Sequence, residues 1–147
     1  MLISKSRQCK GEVQMTLEKS LKLLDIYEAH STEGNLVDLW LATQYDAHDF
    51  DVSDRLPFEE RRELFLWSLG QFLANGKLRL MKNGAYLNGT PEEQVALFRQ
   101  GFPASEIPDP RYPNEDASFW FYWEECPGEA VWRVKKPDGT VEWLHCP

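Results

Sequence analysis

Pro57-Phe58-Glu59-Glu60-Arg61-Arg62-Glu63-Leu64-Phe65-Leu66-Trp67, running on to Asn75-Gly76 and then Lys77-Leu78-Arg79-Leu80-Met81, is the stretch whose reading settles the fold class. Proline is favoured at the first helical position, because its ring presets φ and the missing N–H is unused there. Glu59 and Glu60 follow where the helix dipole stabilises negative charge. Leu64, Phe65, Leu69, Phe72 and Leu73 recur on one helical face, and Asn75-Gly76 reads as a C-terminal cap. Lys77 to Met81 then alternates, Asn83-Gly84 has the residues a two-residue hairpin turn demands, and Ala85-Tyr86-Leu87 returns. A helix therefore closes directly into a short hairpin.

Upstream, residues 1–14 are basic and aperiodic and read as a flexible tail. Leu17, Leu21, Leu24 and Tyr27 or Glu28 recur at the spacing of an amphipathic helix of about four turns. Ser31-Thr32-Glu33-Gly34 breaks that pattern, and a second helix is expected from near Asn35 through Leu36, Leu39, Trp40 and Thr43 to about His48. Downstream, Thr90-Pro91-Glu92-Glu93 combines an N-cap, a first-turn proline and a capping-box glutamate. The helix it opens carries Val95, Leu97 and Phe98 and closes at Gly101. Pro103, Pro108, Pro110 and Pro113 make 102–117 an irregular connector. Three strands are expected beyond it, Ser118–Glu125, Ala130–Lys135 and Thr140–Leu144, separated by Cys126-Pro127-Gly128 and Pro137-Asp138-Gly139 turns. Helices first and strands mostly last predict an α+β fold: N-terminal helices, the helix and hairpin, one further helix, then an antiparallel three-stranded meander. Residues 15–147 are expected to form a single domain.

Charge is distributed unevenly. The net charge is −8 and the sequence pI about 4.9. Residues 32–60 carry eight Asp/Glu against the single Arg55, and residues 105–129 carry seven against the single Arg111. Such a balance disfavours partners bound by neutralising phosphates, whether nucleic acid or an anionic membrane. No stretch approaches the ~20 apolar residues of a membrane span, and the N-terminus lacks the apolar core of a secretory signal. Cys9, Cys126 and Cys146 are an odd number without framework spacing, so reduced thiols in a cytoplasm are expected.

Several constellations invite a chemical reading. Asp46, His48, Asp49, Asp51 and Asp54 offer hard-cation donors, but the glycine of a calcium loop and its bidentate glutamate are missing. Cys126, His145 and Cys146, with distant Cys9, lack the two close ligand pairs of a zinc site. Cys126 as a nucleophile would need His30, His48 or His145 beside it. Glu124, Glu125 and Glu129 could supply a hydrolytic carboxylate pair, although acidic residues at strand ends are more often solubilising. No catalytic residue, metal or cofactor is therefore expected. In a strand, Phe119, Phe121 and Trp123 would face one way and Trp120 and Tyr122 the other, one set in the core and the other packed under the helices or exposed as an anchor. The 57–87 unit, with Arg61, Arg62, Lys77, Arg79 and Lys82, resembles the recognition helix and wing of winged-helix proteins. Few polar base-readers follow Glu63, however.

Leu56 to Trp67, Gly76-Lys77-Leu78-Arg79-Leu80, Thr90-Pro91-Glu92-Glu93-Gln94 and the closing aromatic-rich Cys-Pro…Trp segment together resemble a small family of uncharacterised bacterial proteins. Their genes tend to lie beside contact-dependent growth inhibition and other polymorphic toxin loci. The likeness spans roughly residues 15–146 and leaves the basic tail unmatched. It implies an immunity role: a cytoplasmic antidote, not an enzyme, that binds and blocks one cognate toxin. The two acidic blocks make a basic protein the expected partner, a nuclease-like toxin whose basic active site is covered, with neither nucleic acid nor membrane bound. Asp46, Asp49, Asp51 and Asp54 form one candidate docking edge. Glu115, Asp116, Trp120, Tyr122, Glu124 and Glu125 form the other. A winged-helix nucleic-acid-binding protein and a small hydrolase are the alternatives.

Overall fold

The computed structural model describes residues 34–43, 57–105, 110–111 and 117–147. The N-terminal tail and the helix expected after it, together with residues 44–56, lie outside that set. Within it, the order is α1 (Leu36–Ala42), α2 (Phe58–Ala74), β1 (Leu78–Lys82), β2 (Ala85–Tyr86), α3 (Pro91–Gly101), a 3-10 helix (Ala117–Tyr122), β3 (Glu129–Lys135) and β4 (Val141–Cys146). The class is α+β, as expected.

Helix α2 is the centre of the molecule. Its buried residues, Arg61, Leu64, Phe65, Leu66, Ser68, Leu69 and Phe72, spread well beyond one stripe. A helix buried over so wide an arc must have neighbours on several sides. Pro57 is its N-cap and not, as expected, its first helical residue. At the other end Gly76 takes φ +77°. The Lys77 N–H bonds the Phe72 carbonyl and the Gly76 N–H that of Leu73. This pair of bonds is a Schellman closure, and only glycine takes the left-handed position at no steric penalty.

At the start of α3 the expected reciprocal box is present. The Glu93 N–H donates to Thr90 Oγ1 at 3.1 Å, and the Thr90 N–H donates to Glu93 Oε1 at 3.0 Å. Hydrogen bonds from the Thr90 backbone, then its side chain, hold the Glu93 carboxyl below its ordinary value of 4.5. A folded-state pKa below the unfolded one means stabilisation that is present at neutral pH and lost as pH falls through that depressed value. Thr90→Ala is expected to lower stability by about 1 kcal/mol at neutral pH. The deficit should shrink in acid; urea unfolding at two pH values checks both.

The sheet has the order β2-β1-β3-β4, antiparallel throughout. Two expectations are corrected here. The hairpin is not a free wing beside a separate meander: β1 is an internal strand, with Leu78 opposite Trp132 and Leu80 opposite Ala130. These four residues are all buried, so pairing the strands in this register merges two apolar rows into one inner face. The segment expected to be the strand Ser118–Glu125 is instead the 3-10 helix and the turn after it. Its three-residue repeat sends Trp120 and Phe121 inward together and leaves Phe119 and Tyr122 outside. A strand would have separated Trp120 from Phe121 onto opposite faces.

Helices and sheet meet through aromatic edges. Phe102 lies 5.2 Å from Trp40 and 5.1 Å from Trp120, and Phe65 lies 5.3 Å from Phe121. Trp132, on β3, sits edge-on to Phe72 at 5.2 Å. Its indole N–H donates to the Gly34 carbonyl at 2.7 Å, joining the sheet to the start of α1. Gly128 meets a different constraint from Gly76: a Cβ there would stand 3.2 Å from Leu80 Cβ and 3.3 Å from Leu87 Cδ1, so those side chains would have to give by a few tenths of an ångström.

Candidate functional site

Ala117–Tyr122 and the turn following it carry the second candidate surface. The turn is held from within. The Trp123 N–H bonds the Trp120 carbonyl at 3.0 Å, and the Cys126 N–H bonds that of Trp123 at 3.1 Å. Lys82 Nζ donates to the Cys126 carbonyl at 2.8 Å, pinning the turn to the end of β1. Trp120 and Phe121 plug the turn into the core, while Trp123 packs partly buried against it. Two aromatic rings are left outside. Tyr122 is 62% exposed and Phe119 41% exposed.

Tyr122 does not hang free. The Asn35 side-chain amide donates to its hydroxyl at 3.2 Å and to the Pro147 carbonyl at 3.4 Å. Asn35 is itself fixed as the N-cap of α1, reciprocally bonded with Asp38. An exposed tyrosine is thus anchored at its polar end to a capped helix. Glu124 and Glu125 stand exposed on the adjoining turn, without an ion-pair partner among the described residues. The surface so formed is aromatic and anionic, and local hydrogen bonds hold its backbone.

Of the expected docking residues, Tyr122, Glu124 and Glu125 are brought together on this surface. Trp120 is not available as an anchor: at 3% exposure it is core, because the 3-10 repeat turns it inward against Phe98 and Phe102. Glu115 and Asp116 lie outside the described residues, as do Asp46, Asp49, Asp51 and Asp54. Two contributors were missed from sequence. Asn35 was legible as the first residue of an Asn-x-x-Asp box. The exposure of Phe119 depended on the 3-10 geometry.

Of the other expected constellations, Cys9, His30 and His48 lie outside the described residues. Burial pushes the Cys126 thiol up to about 11, and its Sγ faces the Gly128 carbonyl, so a thiolate nucleophile is disfavoured there. His145 and Cys146 are consecutive in β4 and point to opposite faces of the sheet. His145 Nε2 instead meets Glu129 Oε1 at 3.0 Å. Among the described residues, no group of three His, Cys, Asp or Glu side chains gathers to hold a metal ion. An open depression of about 380 Å³ between α2, α3 and the hairpin is lined by Leu73, Leu78, Tyr86, Leu87, Pro91 and Gln94, with Arg79 at its side. No carboxylate lines it. Arg61 is buried, its guanidinium 5.5 Å from the Trp40 ring and 5.7 Å from Phe58. No described helix is long and apolar enough to cross a membrane.

Residues 73–144 match the model of a protein family described as a protein of unknown function, DUF596. The match runs from the end of α2 into β4. No curated protein matches the chain. Among solved structures, an uncharacterised protein conserved in bacteria, from Neisseria meningitidis, is similar. It is 28% identical, with a TM-score of 0.68 over 92% of this chain and 94% of that one.

Proposed function

We propose that this chain is a binding protein, not an enzyme, that docks a basic protein partner through the surface around Tyr122, Glu124 and Glu125. The observation that carries the reading is a tyrosine 62% exposed yet tethered through Asn35, beside two exposed carboxylates. Tyrosine is favoured at binding hot spots, because it buries a large rigid ring and keeps a polar tip. Carboxylates beside it steer a cationic partner and select against anionic ones.

The more specific reading is an antidote acting in the cytoplasm of a bacterium. It would cover the basic active site of one cognate toxin, of a nuclease-like kind. Its support is the resemblance drawn from the sequence, together with the anionic character of the exposed turn. A nuclease that grips phosphates must present cations, and an anionic protein surface competes for the same groups.

Reversing both charges, Glu124→Lys with Glu125→Lys, is expected to slow association with the toxin by about tenfold or more at low salt. The variant's rate should also depend less steeply on ionic strength. Stopped-flow or surface-based kinetics against a purified cognate toxin domain provide the measurement. Association at the wild-type rate at low salt would rule out this turn as the docking surface.

A further inference from the structure

Among the described residues, strand β4 is the outer strand of the sheet. In an antiparallel ladder, successive residues turn their main-chain groups alternately toward one neighbour and the other. The Lys136 N–H bonds the Thr140 carbonyl at 2.8 Å, and the Arg133 N–H bonds that of Lys77 at 2.9 Å. These two bonds fix the phase. Glu142, Leu144 and Cys146, opposite Val134, Trp132 and Ala130, are bonded to β3. Val141, Trp143 and His145 therefore direct both their N–H and C=O groups away from the sheet.

Edge strands are normally guarded by proline, lysine, a bulge or shortness. The opposite edge, β2, is only two residues long. Strand β4 has six residues, Val-Glu-Trp-Leu-His-Cys, with neither proline nor lysine, and continuous pairing to β3 excludes a bulge. The Arg79 guanidinium lies over the Trp143 ring, 3.9 Å from its centre. Val141 beside it is 52% exposed.

We infer that β4 pairs antiparallel with β4 of a second copy of this chain, about a two-fold axis through Trp143. A symmetric antiparallel pair with a residue on its axis needs outward main-chain groups at that residue and equally to either side. Trp143 is the middle one of the three. Centred there, Val141 faces His145 of the second copy, Glu142 faces Leu144, and the two Trp143 rings face each other. No two like charges are opposed, and the aromatic pair is of the kind that reinforces a ladder. Moving the axis to Val141 sets Pro137, which has no N–H, opposite His145. Moving it to His145 opposes two imidazoles. Backbone pattern and charge thus select one register for the symmetric pair.

The test is sedimentation equilibrium of the full chain from micromolar to millimolar concentration, with amide hydrogen exchange measured in parallel. A monomer–dimer equilibrium is expected, with the Val141, Trp143 and His145 amides slowing as concentration rises. Val141→Pro removes an outward N–H but no bond to β3. It should raise the dimer dissociation constant at least tenfold, whereas Val141→Thr should leave it within a few-fold. If the proline variant does not fold, the concentration dependence of the three amides in the unmodified chain decides. A chain monomeric throughout overturns the inference, as does a dimer in which these amides exchange as fast as in dilute solution, or one undiminished by a folded proline variant. Protection arising only when a different protein is added also counts against a second copy.

Discussion

Trp132→Ala is expected to lower the free energy of unfolding by about 3–5 kcal/mol, a fifth or more of the roughly 5–15 kcal/mol typical of a small domain. Three features of the site set that scale. The ring is 1% exposed, so its whole apolar area is withdrawn from water on folding. It lies edge-on to Phe72 from the central helix and opposite both Leu78 and Leu144 in the sheet, so its loss opens a cavity between layers that cannot both collapse. Its N–H also satisfies the Gly34 carbonyl across 98 residues of chain. Trp132→Phe separates these contributions: it keeps most of the ring and leaves the carbonyl without its donor, for a loss of about 1–3 kcal/mol. Urea unfolding followed by far-UV circular dichroism measures both. An alanine variant with the wild-type midpoint would show that the two layers are not joined through this residue.

The second large effect divides two neighbouring aromatics. Trp120→Ala is expected to destabilise the fold by about 3–5 kcal/mol, since the ring packs on Phe98, Phe102 and Phe121. Tyr122→Ala should change stability little, because the side chain is mostly exposed. It should instead weaken binding of a cognate toxin by about 2 kcal/mol, close to thirtyfold in dissociation constant. Thermal melting and titration calorimetry on the two variants make the comparison. The reverse pattern, with Trp120 affecting only affinity and Tyr122 only stability, would overturn the assignment of core and surface along the 3-10 helix.

What could be read from sequence follows from how local each signal is. The ends of α2 were legible because Pro57 and Asn75-Gly76 act on the backbone within a few residues. The start of α3 was legible for the same reason, its box lying wholly within Thr90–Glu93. So was the hairpin, since Asn83 and Gly84 both take the positive φ its turn requires. The joining of β1 to β3 was not, because pairing Leu78 with Trp132 is a contact between distant segments that no local pattern announces. The aromatic run failed for another reason. Five consecutive large rings fit strand alternation and a three-residue repeat equally well, and packing against Phe98 and Phe102 selects the latter. The same ambiguity displaced Trp120 from the candidate surface while leaving Tyr122, Glu124 and Glu125 on it.

The central position of β1 has a consequence for biosynthesis. The hairpin leaves the ribosome long before its partner β3, and until Glu129–Lys135 arrives, Leu78 and Leu80 lack the strand that completes their face. Helix α2 can form early from its own caps, but it must wait with much of its apolar girth uncovered. Closing so long a loop precedes the reward of pairing, which slows folding and lengthens the interval in which a nascent chain is vulnerable to chaperone capture or aggregation.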